Sequence, residues 1–346
     1  MSKDKKDIRS LTKEQLRDFF KSIGQEPFRG NQVYEWLWSK GSHTFEDMTN
    51  ISKNTRELLE ENFVINHIEV DSLQKSNDGT IKNAVKLHDG LIVESVLIPT
   101  NKRTTACVSS QVGCSLDCKF CATAKLKRMR NLNPDEIYDQ VVAIDRESRL
   151  YHGHPLSNIV FMGMGEPLMN YKNVLASIEK ITSEEGLGMS PKRITLSTSG
   201  VPKMIKKLAD DDVKFHLAVS LHSAIQEKRE QIMPFAKNFT LVDLKESLEY
   251  WYEKTNRRIT YEYIVWKGLN DTKEDIEALV RFCSYVPCKV NIIEYNPIDD
   301  GEFQQAAGEA VDAYLEALER NRVPATVRRS RGKDIDAACG QLANKQ

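Results

Sequence analysis

Near the start of the chain, apolar residues fall at helical spacing. Leu16, Phe19, Phe20 and Ile23 stand at i, i+3, i+4 and i+7, which predicts an amphipathic helix over 11–23. Thr12 suits its N-cap with Gln15 as the capping-box partner, and Leu11 can pack against Leu16 across the first turn. Val33, Trp36 and Leu37 share a face of a second helix over 30–40, and a third is expected over 52–62. Together these three make a small helical unit.

The period then changes. Runs rich in Val, Ile and Leu at 66–74, 81–87 and 91–98 read as strands, and Asp89-Gly90 between the last two is a hairpin signal. Glu94 interrupts the last run; alternation puts it toward solvent, so a catalytic role needs other support. From residue 104 onward, strand-like runs at 104–110, 158–164, 193–198, 214–221, 258–266 and 288–295 each lead into a helix-like segment. Helical segments at 134–147, with Pro134 in a first-turn position after Asn133, at 240–254 and at 271–283 supply crossovers. Six such units predict an α/β fold: a parallel sheet forming a partial (β/α)6 barrel, with its working groups on the loops after the strands. The expected division is a helical N-terminal accessory domain over 1–64, a strand-rich linker over 65–99 and a (β/α) catalytic domain over 100–346.

Composition narrows this picture only slightly. With 346 residues, 40% of them hydrophobic, the chain can bury one large core plus a small appendage. Its 49 basic and 50 acidic residues nearly cancel, so any nucleic-acid surface must be a local patch. No stretch approaches the roughly 20 apolar residues of a membrane span, and the start MSKDKKDIRS lacks the apolar centre of a signal peptide. A cytoplasmic protein with no membrane partner is expected. Seven cysteines, an odd number with three crowded together, fit a reducing compartment better than a disulfide scaffold.

Those three, Cys114, Cys118 and Cys121, stand in CxxxCxxC spacing on the loop after the first barrel strand. Three thiolates on one short loop can hold three corners of an iron–sulfur cube and leave one iron open to a small molecule. The alternatives are a zinc site completed from elsewhere and a chance grouping, and no second close Cys or His pair follows to support zinc. The same face should gather Gly165 and Glu166 from Gly163-Met164-Gly165-Glu166-Pro167, together with Ser197, Ser220, His222 and Asn296 at later strand ends. Each also reads as a turn or capping residue. Cys107 reads as a small core residue, Cys339 as a thiol in a small-residue stretch suited to a mobile loop, and Cys283 and Cys288 as structural.

Taken together, the motifs resemble the RlmN family, the radical-SAM adenosine C-2 methyltransferases of ribosomal and transfer RNA. The resemblance covers nearly the whole chain: Pro27-Phe28-Arg29-Gly30-Asn31-Gln32, Val93-Glu94-Ser95-Val96-Leu97-Ile98-Pro99, the run from Cys107 to Cys114, the Gly163–Pro167 loop, Ser220-Leu221-His222, Asn296-Pro297 and residues 328–340. It implies a 4Fe-4S cluster on Cys114, Cys118 and Cys121, and two S-adenosylmethionine molecules per turnover. Gly165, Glu166, Ser197, Ser220, Leu221, His222 and Asn296 match the family's S-adenosylmethionine contacts. Cys339 matches the methyl-carrying cysteine, Cys107 the thiol that releases the product through a transient disulfide, and Glu94 the proton acceptor. The implied partners are 23S rRNA, tRNA and an electron donor such as flavodoxin or ferredoxin, with the protein acting as a monomer. One departure stands out: family members commonly carry a glycine-bearing segment where this chain has Ala124-Lys125-Leu126-Lys127-Arg128-Met129. Those basic residues, with Arg130, Arg322, Arg328, Arg329, Arg331 and Lys333, are candidates for a local RNA patch or a solvated surface. The rival readings are a carbon-8 adenosine methyltransferase and a non-catalytic iron–sulfur RNA-binding protein.

Overall fold

A computed structural model describes residues 5–101, 103–299 and 301–344. The first helix, α1 (Lys13–Ser22), starts at the expected capping box, in which Gln15 N donates to Thr12 Oγ1 at 3.1 Å and Thr12 N donates to Gln15 Oε1 at 2.9 Å. Leu16 and Phe20 are fully buried on its inner face. Helices α2 (Phe28–Trp38) and α3 (Lys53–Asn62) complete the helical segment, which a short parallel ladder between Lys6–Asp7 and Phe63–Val64 closes. Buried Arg9 anchors this segment to the rest of the protein through a fork onto Asp139, with N–O distances of 2.6 and 2.7 Å.

Ten strands follow in one sheet: β1 (Glu69–Lys75), β2 (Ile81–Lys86), β3 (Ile92–Thr100), β4 (Arg103–Cys107), β5 (Asn158–Phe161), β6 (Ile194–Thr198), β7 (His216–Ser220), β8 (Ile259–Ile264), β9 (Cys288–Ile293) and β10 (Ala325–Arg328). Spatial order equals chain order. Strands β1 to β4 pair antiparallel, and β4 to β10 pair parallel. All six expected barrel strands are present, and β10 adds a seventh that the sequence reading missed, its four residues being too short for a clear period. The three strands of residues 65–99 continue the same sheet. Helices α4 (Pro134–His152), α5 (Tyr171–Thr182), α6 (Pro202–Asp210), α7 (Gln226–Ile232), α8 (Leu241–Thr255), α9 (Lys273–Cys283) and α10 (Gly308–Arg320) run between the parallel strands. Each crossover returns the chain so that every parallel strand ends at the same rim.

One apolar cluster runs from Ile8 to Leu342 through both the helical segment and the barrel. A smaller one, around Leu116, Trp266 and Tyr295, lies under the cysteine loop and supports Cys114, Cys118 and Phe120. No helix among the described residues is long and apolar enough to cross a membrane.

Candidate active site

The cysteine loop leaves the rim just after β4. Its shape begins at Gly113, whose φ of +73° and 2.5 Å separation between a built Cβ and Lys127 O admit only glycine. Lys127 pairs with Cys114 through its backbone, so the departing segment 124–129 serves as the loop's neighbour without a glycine there. Asp117 Oδ1 accepts from Phe235 N at 3.0 Å, and Lys119 N donates to Ile232 O at 3.0 Å, tying the loop to the segment around α7. Phe120 meets His222 edge-on, with ring centroids 4.7 Å apart.

Cys114, Cys118 and Cys121 all face one cavity, which is also lined by Gly165, Glu166, Ser197, Ser220, His222 and Glu262. Burial pushes the Cys114 thiol up to about 12 and raises those of Cys118 and Cys121 as well. Thiols in such surroundings become thiolates only beside added positive charge, so this donor set fits a cationic iron cluster. No group of three His, Cys, Asp or Glu side chains among the described residues is drawn together as a site for one metal ion. A four-iron cube holds its cysteine sulfurs further apart than one ion does, and the three thiols share one cavity wall.

Gly165 (φ +93°) lies where a built Cβ would stand 2.5 Å from Gln111 Cβ, and Glu166 N donates to Gln111 Oε1 at 2.9 Å. The Glu166 carboxylate is nearly inaccessible and already accepts from Leu168 N, Thr198 Oγ1 and Ser199 N, at 3.0, 2.7 and 2.8 Å. It therefore joins the loops after β5 and β6 while bordering the cavity. His222 has a left-handed backbone (φ +58°), and its Nδ1 accepts from Ile264 N at 3.3 Å. Burial, with Arg229 nearby, lowers its pKa to about 3, so the ring is neutral at pH 7.

Two expected contacts are not in this cavity wall. Leu221 is buried, its N donating to Glu262 O at 3.0 Å and its carbonyl accepting from Ser223 N and Arg229 Nε at 2.7 and 3.3 Å. Asn296 stands just outside: its Nδ2 donates to Cys339 O at 3.2 Å, and its buried Oδ1 has no partner, an acceptor left for a ligand donor.

A second cavity adjoins the first and is lined by Cys107, Arg328 and Cys339. Cys121, Met162, Gly163, Cys339 and Gly340 border both. The stretch around Cys339, rich in small residues, is tied to its neighbours by hydrogen bonds. Gly340 O accepts from Ala122 N at 2.7 Å, Leu342 O from Thr123 Oγ1 at 2.6 Å, and Pro297 O from Gln341 Nε2 at 3.1 Å. Cys107 is buried, and its thiol is pushed up to about 12, first by burial and then by the charge of Cys339.

Glu94 also departs from expectation: it is 1% exposed. Alternation failed because β3 is covered on both faces, as its almost unbroken burial shows. Its Oε1 lies 3.2 Å from Lys82 Nζ, while Oε2 accepts from Ala343 N and Asn344 N at 2.7 and 3.0 Å. Neither cavity includes Glu94 in its wall in this conformation.

Arg328 leaves the suggested RNA patch, because its Nη1 donates to Met162 Sδ at 3.3 Å inside the second cavity. The charge of Cys339, more than any other group, raises its pKa. Arg130 is likewise engaged, by Glu136 and Asp89. Sequence reasoning missed Glu262, whose buried Oε2 has no partner at the cavity wall. The signal was present, since an acid inside an apolar strand run had already singled out Glu94.

Two families match this chain: the ribosomal RNA large subunit methyltransferase N-terminal domain over residues 6–65, and the radical SAM superfamily over residues 108–283. A relative described as a probable dual-specificity RNA methyltransferase RlmN, from Flavobacterium johnsoniae, is 75% identical over 346 residues, covering 100% of this chain and 99% of its own. A protein of the same description from Clostridioides difficile is 40% identical, covering 100% and 99%. Among solved structures, a radical SAM methyltransferase from Sphaerobacter thermophilus superposes with a TM-score of 0.92 at 35% identity, covering 98% of this chain and 100% of that one.

Proposed function

The chain belongs to the RlmN family of radical SAM RNA methyltransferases, and from that footing we propose that it methylates carbon 2 of adenosine. The substrates in this reading are 23S rRNA, at the peptidyl-transferase centre, and tRNA, at the adenosine next to the anticodon. The observation that carries it is Cys339, which borders both the cavity of the three cluster cysteines and the cavity of Cys107. A sulfur at that junction is suited to collect a carbon on one side and deliver it on the other.

Cys114, Cys118 and Cys121 would hold the 4Fe-4S cluster, and Gly165, Glu166, Ser197, Ser220 and His222 would line the S-adenosylmethionine site, with Leu221 and Asn296 behind its wall, two molecules being used per turnover. When bound, these groups would supply one-electron chemistry: a radical able to activate a methyl carbon and a sink for the electron that the RNA adduct gives up. Cys339 first receives a methyl group on sulfur by displacement, and that carbon then joins carbon 2 of adenine. Glu94 takes the proton from carbon 2. Cys107 attacks the Cys339 sulfur, the sulfur–carbon bond breaks, a solvent proton completes the methyl group and a Cys107–Cys339 disulfide remains for an external reductant to open.

Residues 1–64 act as the RNA-facing accessory part, a role supported by the match of residues 6–65 to a ribosomal RNA methyltransferase N-terminal domain. The strands of residues 65–99 link it to the catalytic domain of 100–346. The remaining elements of the reading are a cytoplasmic monomer and an electron donor of flavodoxin or ferredoxin type.

Reduced enzyme, S-adenosylmethionine and unmodified ribosomal RNA should yield 2-methyladenosine by mass analysis. If 8-methyladenosine were the sole product, the carbon-8 reading would replace this one. Cys107→Ala should trap RNA bound covalently to Cys339, whereas free methylated RNA released at the normal rate would remove Cys107 from the mechanism.

A further inference from the structure

The Glu94 carboxylate is enclosed by donors from two places. Ala343 N and Asn344 N reach Oε2 from the stretch that carries Cys339, while Lys82 Nζ reaches Oε1 from the neighbouring strand β2. Both ion-pair side chains are buried, with 5% and 2% of their surface exposed. In the antiparallel register Lys82 stands opposite Val96, and Val96 opposite Cys107. Side chains two apart on a strand share a face, so Lys82, Glu94 and Cys107 all belong to one face of the sheet.

The two kinds of donor differ in permanence. The amides of residues 343 and 344 follow Cys339 closely in the chain, so any shift of that stretch would withdraw them from Glu94. Lys82 stays, because β2 is held by ladders on both sides. A buried ion pair adds little stability over packed apolar side chains, since both charges lose their hydration. Its place beside a base that must be ionised before it can accept a proton calls for a functional reason.

We propose that Lys82 is the positioning residue for Glu94, holding its carboxylate oriented when residues 343 and 344 shift away. This rests on the reading of Glu94 as the proton acceptor. In the step itself the proton passes from carbon 2 to a Glu94 oxygen and the pair of the carbon–hydrogen bond stays with the adenine. Lys82 exchanges nothing in the step.

The test uses the cluster-loaded enzyme with S-adenosylmethionine and RNA, following Cys339-linked RNA on denaturing gels and by mass. Lys82→Met should retain normal iron content and Cys339 methylation but clear the linked RNA at least tenfold more slowly, and Lys82→Arg should recover most of the rate. Deuterium at carbon 2 should slow clearance more in Lys82→Met than in the unsubstituted enzyme, because proton removal has become limiting, an effect that loosened packing alone would not produce. If Lys82→Met yields no soluble protein, Lys82→Gln takes its place under the same criteria. Glu94→Gln serves as the reference. Normal clearance in Lys82→Met with stalled Glu94→Gln, or equal isotope effects, would overturn the role of Lys82 alone. Normal clearance in Glu94→Gln would instead remove Glu94 as the acceptor.

Discussion

Burial holds the Cys107 thiol up at about 12, so near neutral pH nearly all of it is protonated, and its thiolate share grows about tenfold per pH unit until that value is approached. In the proposed mechanism, release of RNA from Cys339 needs that thiolate. In single-turnover experiments between pH 7 and 9 the release rate should therefore climb roughly tenfold per unit, and a flat profile would mean that another event limits release. At Gly113, a methyl group would stand 2.5 Å from Lys127 O in a backbone with positive φ. Gly113→Ala should therefore displace the cysteine loop and lower the iron bound per chain after reconstitution, while the cysteines themselves remain. Such residues were partly legible beforehand: the cysteine spacing and the glycines name themselves in the sequence. Lys82 and Arg328 do not, because their meaning comes from a neighbour on another strand, and no local pattern announces a lysine diagonal to an acid across a ladder.

Elements were more legible than their surroundings. Thr12 with Gln15 and Thr240 with Asp243 mark helix starts by reciprocal hydrogen bonds that depend on residues three apart, so the sequence contains the whole interaction. Partnerships between elements are another matter, and the Arg9–Asp139 fork that joins the N-terminal segment to α4 spans 130 positions. Both side chains are almost fully enclosed. Arg9→Met should cost about 3–5 kcal/mol because it strands the Asp139 carboxylate in a buried site. Adding Asp139→Leu should return much of that loss, since an apolar pair of similar volume replaces the ion pair. Urea denaturation of both variants measures the difference, and equal destabilisation in the single and double variants would show that the arginine's packing over Trp38, 4.7 Å from the ring centre, matters more than its charge.

At the scale of the whole molecule, a sheet whose strands follow chain order leaves β10 at one edge and β1 at the other, and residues 332–344 bridge much of the distance between them. Gly332 N donates to Asp78 Oδ2 at 3.0 Å, and Asp334 accepts from Ser76 Oγ and Asn77 N at 2.6 and 3.1 Å, all on the β1–β2 turn. Further along, the same stretch meets the cysteine loop and then Glu94. One strap thus touches the hairpin, the cysteine loop and Glu94, so its release alters the surroundings of all three together. The surface contacts of Asp334 contribute little to global stability but restrict the strap locally. Asp334→Ala should accordingly leave the unfolding midpoint nearly unchanged while amide exchange in residues 332–344 quickens. Alkylation counted by mass should rise at Cys339 and not at Cys107, which lies within the sheet and has no part in the strap. Equal gains at both thiols would mean that the variant loosens the barrel rather than the strap. Unchanged exchange would place the strap's anchorage at Thr123 and Gln341 instead, where Leu342 and Pro297 carbonyls take their hydrogen bonds.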